Sequence, residues 1–252
     1  MATRPKGRAR ASRHGPRKAA AASDRDRFLA LASHELRTPL TALALHLDSA
    51  LRMGSGPGEA DLPTAARAQI ESARRQVRRM AFLVDEILDI TRIQSGAVEL
   101  APEELDLAAL VRSVVTRRLR EAESARATVS VVAPPALPGR WDPARVEQVL
   151  VHLLTNAFKF GGGRPVVVEV TEEGDRARLS VRDRGRGIAP EDQERIFVRY
   201  ERADPAPEQA GLGLGLWIAR EFVERMGGTI AVESRAGEGA RFVVELPLGR
   251  GG

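Results

Sequence analysis

A chain of 252 residues with 43% hydrophobic and 29% charged residues suits one large or two small soluble domains, and its lack of cysteine excludes a disulfide framework, a thiolate nucleophile and a cysteine-ligated zinc site. No apolar run reaches the roughly 18 residues that cross a bilayer, and no apolar segment follows the basic N-terminus as a signal peptide requires, so the expected location is cytoplasmic. The formal charge of +5 belongs to a tail: residues 1–22 hold seven Lys or Arg and no acid, leaving 32 basic against 34 acidic residues elsewhere.

That tail, rich in Ala, Gly, Pro and Arg, cannot bury enough apolar surface to fold and reads as a disordered arm. It lacks the interleaved aromatics on which single-stranded bases stack, which leaves only non-specific contact with nucleic acid or anionic lipid. From Ser23 to Met53, Phe28, Leu31, Leu36, Leu40, Leu43, Leu47 and Leu51 recur at helical spacing, with Ser23 as N-cap and Asp26 three residues on. Gly54-Ser55-Gly56-Pro57-Gly58 breaks this helix. A second helix is predicted from Pro63 to about Gln94, and the two make an antiparallel hairpin domain over residues 23–95. One hairpin cannot cover Leu40, Leu43, Leu47, Val77, Met80, Leu83 and Ile87, so two chains are expected to pair as a four-helix bundle.

Residues 96–105 read as a linker, and residues 106–252 as a second domain. Its predicted elements are a helix from Leu107 to about Leu119, a strand at Thr128–Val132, a loop at 134–139, and a helix opened by Asp142-Pro143 and running to about Phe158. Strands follow at Val166–Thr171 and Ala177–Arg182, then a helix from Gly213 to about Met226, then strands near Thr229–Glu233 and Arg241–Leu246. Helices and strands intermix, which predicts an α/β sandwich behind the helical hairpin.

Four constellations carry chemistry. In Ser33-His34-Glu35-Leu36-Arg37-Thr38-Pro39-Leu40, Glu35 can orient an imidazole or take its proton, leaving the other ring nitrogen nucleophilic. A helical histidine is more often an ordinary surface or core residue, but the acid beside it and the helix-kinking Pro39 raise its standing. Asn156 and Lys159 stand one turn apart near a helix end, an amide oxygen suited to Mg²⁺ and an amine suited to phosphate; a local cap is the plainer use of such an Asn. Asp183-Arg184-Gly185-Arg186-Gly187 follows a strand, where a carboxylate can accept a hydrogen bond from an exocyclic amine; alone it is equally an acidic turn. Gly211-Leu212-Gly213-Leu214-Gly215 opens a helix and can cradle an anion or serve as a hinge.

Taken in order, His-Glu-x-x-Thr-Pro-Leu, Asn-Ala-x-Lys, Asp-x-Gly-x-Gly, Phe-x-x-Tyr-x-Arg and Gly-Leu-Gly-Leu-Gly-Leu resemble the bacterial sensor histidine kinases of two-component systems, over roughly residues 24–248. The resemblance implies a homodimer that autophosphorylates with ATP and Mg²⁺ and passes the phosphoryl group to an aspartate of a response regulator receiver domain. It implies that His34 is the phosphoacceptor, Glu35 its assisting acid and Thr38 a residue for phosphatase activity. It further implies that Asn156 holds the metal, Lys159 contacts phosphate and Asp183 binds adenine, with Gly185 and Gly187 shaping that wall. Phe197 and Arg202 match an aromatic box and an arginine near the phosphates. Gly211, Gly213 and Gly215 match the glycine loop, and 203–210 a short lid.

Many relatives carry Asn four residues before the metal-binding Asn, where this chain has His152, a poorer partner for Mg²⁺. No sensor segment precedes the hairpin, so the chain is either a soluble core or a fragment. A docking or phosphatase protein that seldom phosphorylates His34 is one rival reading. Another is a different ATPase of the same nucleotide fold, against which the Ser33–Thr41 motif argues.

Overall fold

A computed structural model of the chain describes residue 36 and residues 38–50, 64–201 and 212–249. The basic arm, the helix start at Ser23, the breaker at 54–58, His34, Glu35, Arg202, Gly211 and the lid lie outside the described residues. The chain forms two compact units, Met1–Met80 and Ala81–Gly252.

In the first unit, helix α1 (38–50) and the first part of helix α2 (Thr64–Gln94) carry the apolar repeat read from the sequence. Between them His46 Nδ1 lies 2.6 Å from Gln69 Oε1, and Ala66 and Ala73 are buried. Leu40, Leu47 and Val77 are exposed, as an unpartnered stripe requires. Leu83 differs: it was counted with that stripe but is buried, because α2 from Ala81 onward belongs to the second unit. There Leu83, Ile90 and Ile93 are all buried, at the seven- and three-residue spacing of one helix face. The helix ends at Gly96, whose N–H bonds the Ile93 carbonyl while that of Ala97 bonds Arg92, a Schellman closure.

The second unit is a sheet covered on one face by three helices, in the order β1 (Glu103–Asp106), α3 (Leu107–Ser124), β2 (Val129–Val132), β3 (Pro138–Trp141), α4 (Pro143–Phe160), β4 (Val166–Glu173), β5 (Arg176–Arg182), α5 (Gly215–Arg225), β6 (Thr229–Arg235) and β7 (Gly239–Pro247). Single turns of 3-10 helix stand at Pro190–Asp192 and Arg195–Phe197. Five strands run in the order β2-β4-β5-β7-β6, antiparallel except for β2 beside β4. Alternate residues Val166, Val168 and Val170 of β4, Ala177, Leu179 and Val181 of β5, and Phe242, Val244 and Leu246 of β7 are buried. Against the sheet α4 buries Val146, Val149, Leu150, Leu153, Leu154 and Ala157, one stripe of an amphipathic helix. The sheet's other face is polar, with Arg241 paired to Glu169 at 3.0 Å and Arg178 to Glu173 at 2.9 Å.

One part of the predicted layout is corrected. Glu103–Asp106, expected in a linker as far as Leu105, and Pro138–Trp141, expected partly in a loop, pair as a two-stranded antiparallel ribbon. Trp141 fixes it: the ring is buried and its Nε1–H donates to the Pro247 carbonyl at 2.8 Å. Asp106 then caps α3, its Oδ1 accepting from the N–H groups of Ala108 and Ala109, and also from Leu137 at 2.9 Å.

Candidate functional site

Helix α4 starts as the sequence indicates. Asp142 accepts the Arg145 N–H at 3.1 Å, and Pro143 takes the first helical position, where no N–H is needed. This places Asn156 and Lys159, both half-buried, in the last turns before Gly161. The Phe160 ring stands between two cations, Lys159 Nζ at 4.9 Å and the Arg186 guanidinium at 4.6 Å from its centroid.

Asp183 lies one residue beyond β5 and is buried. Its N–H is held by the Ala240 carbonyl at 2.9 Å, which ties it to the neighbouring strand β7. Its Oδ1 accepts the Gly185 N–H at 2.8 Å. Burial pushes the carboxyl above the ordinary Asp value, and that backbone hydrogen bond opposes the shift. The chain then folds onto the end of α4: the Arg186 N–H bonds the Phe160 carbonyl at 3.4 Å, and a Cβ at Gly185 would overlap that same oxygen. Gly187 has φ +68, and its Cβ would overlap the Arg235 carbonyl, so both glycines are required by space or conformation. Ser234 and Gln193 brace the exit of the loop, Ser234 Oγ accepting the Ile188 N–H at 2.8 Å and Gln193 Nε2 donating to the Ser234 carbonyl at 2.9 Å.

Of the glycine loop, Gly213 and Gly215 are described. The Gly213 carbonyl accepts the Tyr200 N–H at 3.1 Å, with Tyr200 held at φ +65, a strained conformation for a bulky residue. Gly215 is the first residue of α5, and Leu214 before it offers the helix no side-chain cap. Phe197 is buried, edge-to-face with Phe242 at 6.3 Å, so its role in this fold is to anchor the turn that leads to Tyr200. Thr38 is exposed on α1.

The donor set suits an adenine nucleotide. A buried carboxylate answers an amine, a ring answers a base, and an amide oxygen with an amine beside it answers phosphate and a hard divalent cation. His152 was read from the sequence only as a poorer partner for Mg²⁺, and the structure adds its surroundings. It is fully buried among Phe82, Glu86 and Gly215, not open as a substitute metal ligand. Phe160 and Arg186 were missed as site residues. The aromatic directly after Asn-Ala-x-Lys was the available signal.

Comparison with known proteins gives two family matches: His Kinase A (phospho-acceptor) domain over residues 24–96, and histidine kinase-, DNA gyrase B-, and HSP90-like ATPase over residues 141–250. The sensor-like histidine kinase SenX3 of Mycobacterium tuberculosis is 33% identical over 223 residues, 87% of this chain and 53% of that protein. The circadian input-output histidine kinase CikA of Synechococcus elongatus is 32% identical, over 90% of this chain and 30% of that protein. Among solved structures, full-length ShkA in complex with AMPPNP is 28% identical with a TM-score of 0.61, over 88% of this chain and 45% of that one. The chain thus spans about half the length, or less, of the curated relatives it matches.

Proposed function

Because this chain belongs to the two-component sensor histidine kinases, we propose that its α/β unit binds ATP and that His34 receives the γ-phosphoryl group, for onward transfer to an aspartate of a response regulator. The observation that carries this reading is the closing of the Asp183–Gly187 loop on the end of the helix bearing Asn156 and Lys159. It brings the elements for base and phosphate together in one unit. ShkA, similar over most of this chain, is solved with an ATP analogue.

Asp183 accepts the exocyclic amine of adenine, and its burial makes that hydrogen bond selective, because a base without the amine would leave the acceptor unmatched. Lys159 neutralises phosphate charge. Among the described residues no group of three or more His, Asp or Glu could hold a metal by itself. The Asn156 amide oxygen would hold a divalent ion, and Mg²⁺ there would offset charge developing on the transferred group. Glu35 orients His34 and takes its proton. The bond from phosphorus to the β–γ bridging oxygen breaks, a phosphorus–nitrogen bond forms, and ADP leaves. A receiver aspartate then displaces the imidazole to give an acyl phosphate, while Thr38 is assigned to hydrolysis of that product. Homodimer formation through the hairpin completes the reading.

The test is incubation with γ-labelled ATP and Mg²⁺. Acid-labile, base-stable label is expected in the unaltered chain and none in His34→Ala. Label persisting in that variant would reject His34 as the acceptor.

A further inference from the structure

His152 and its surroundings form a buried polar cluster that this reaction does not use. The imidazole is on α4, one turn before Asn156, and is fully buried. Three elements close on it. From α2, Phe82 meets the ring edge-on with centroids 5.3 Å apart, and Glu86 Oε1 lies 3.9 Å from Nδ1. From α5, Gly215 packs so tightly that a Cβ there would stand 2.8 Å from His152 Nδ1 and 3.3 Å from Glu86 Oε1. From α3, Arg118 bears on the imidazole through its charge. Nε2 has no hydrogen-bond partner among the described residues. A buried, unsatisfied ring nitrogen costs stability, so a leucine at this position would be the cheaper filler if packing were its only purpose.

The same stretch of α2 is tied to α4 and α5 at further points. Arg145 reaches Asp89 at 3.3 Å while lying over the Phe222 ring at 4.5 Å. Gln148 donates to Asp89, and Arg225 donates to the Ile93 carbonyl at 3.4 Å. At His152, however, α2 touches both halves of the phosphate cradle at once. One neighbour is the glycine that starts α5, and the other is the α4 turn below Asn156, since residues four apart on a helix stack on one face.

We propose that His152 is a positioning residue: with Phe82 and Glu86 of α2 it forms a buried pin that sets the spacing between Gly215 and the Asn156 turn, and so makes the nucleotide cradle depend on the seating of α2. The proposal rests on the nucleotide reading of Asn156 and the glycine loop. A rotation or axial shift of α2 would move the pin, and the cradle would widen or narrow on both sides together. Small displacements matter here, because the hydrogen bonds that hold a bound phosphate weaken steeply as they lengthen or bend.

The experiment uses the full chain and compares His152→Asn and Phe82→Ala with Ile90→Ala. The last removes a more deeply buried contact of α2, one turn beyond Glu86 and outside the pin itself, and Ile90→Val serves if the alanine variant fails to fold. Initial rates of phosphohistidine formation give KM and kcat for ATP, and calorimetry with a non-hydrolysable ATP analogue gives affinity. Both pin variants should raise KM about five- to tenfold and weaken the analogue in parallel, with kcat within about twofold, whereas the Ile90 variants stay within about twofold in every parameter. An unchanged KM in His152→Asn overturns the proposal, as does an equal rise in the Ile90 variants, which would reduce the effect to general loosening. If the unaltered chain fails to bind the analogue, the nucleotide reading falls and the pin with it.

Discussion

Single side chains in this molecule carry opposed electrostatic demands. Burial raises the pKa of Asp183, whereas the proposed adenine role would favour its ionised form, the better acceptor for an amine. Asp183→Asn can turn an amide donor toward adenine, so it should weaken ATP by roughly 2 kcal/mol or more while a purine nucleotide lacking the exocyclic amine loses much less. Calorimetry with the two ligands separates these outcomes, and equal losses would remove Asp183 from base recognition. His152 has the converse problem. Burial first, and the Arg118 charge second, push its pKa down to about 4 from 6.5. The Glu86 carboxylate at 3.9 Å favours the protonated ring, but it does not outweigh complete burial, so the imidazole is neutral. The unfolded chain takes up this proton below about pH 6.5 and the folded chain only near pH 4, so stability is complete above that window and falls as pH drops through it. From about pH 7 to 5 the loss from this group should approach roughly 2 kcal/mol by urea titration, and His152→Asn should flatten that part of the profile. A variant as pH-sensitive as the parent would show that other groups set the slope.

At the scale of elements, what could be read in the sequence was local. Helices α3, α4 and α5 announce themselves by apolar spacing, and α4 also by Asp142-Pro143, because capping and periodicity involve neighbours a few residues apart. The β1–β3 ribbon was not legible. Glu103–Asp106 has no apolar alternation, and its partner begins at a proline; what holds it is Trp141 reaching the Pro247 carbonyl, 106 residues away. The site divides likewise. Asp183, Gly185 and Gly187 could be picked out because a strand end and two glycines within five residues are a local signal. The burial of His152 could not, because it depends on Phe82 and Glu86 of a helix that the sequence assigns to another domain. Asp106 offers a test of the missed ribbon. It caps α3 and also accepts the Leu137 N–H, and that last bond is the main reason its carboxyl lies below the ordinary value. Asp106→Ala should therefore cost about 1 to 2 kcal/mol in chemical denaturation, at the upper end for a cap because two elements lose an acceptor together. A loss below about 0.5 kcal/mol would show that water replaces the carboxylate at both.

For the whole molecule the decisive quantity is apolar surface left without cover. Leu40, Leu45, Leu47 and Val77 in the first unit, and Val84 and Leu88 in the second, are each more than 40% exposed. An apolar stripe of that extent is unfavourable on a soluble monomer. Pairing two hairpins would bury on the order of 2,000 Å², enough at about 25 cal/mol per Å² to exceed an association cost of about 4 to 15 kcal/mol. Light scattering should give about twice 27.3 kDa at micromolar concentration. A monomer mass would leave the stripe unexplained. Replacing Leu40 and Leu47 together by Glu should shift the mass to that of one chain while the α/β unit keeps its melting transition, since neither residue belongs to it.

The order of strands also bears on how the protein is made. Because β7 lies between β5 and β6, the ribosome finishes β6 before the strand that β6 must pair with exists. Asp183 is anchored to Ala240 and Trp141 to Pro247, so the Asp183 loop and the ribbon both wait for the same late segment. Helix α1 and the first part of α2 have near neighbours in sequence to find and can form while synthesis continues, whereas the end of α2 and the five-stranded sheet need segments made later, β7 among them. During that interval its unfinished sheet exposes an open edge, the state in which the nascent chain most needs a chaperone.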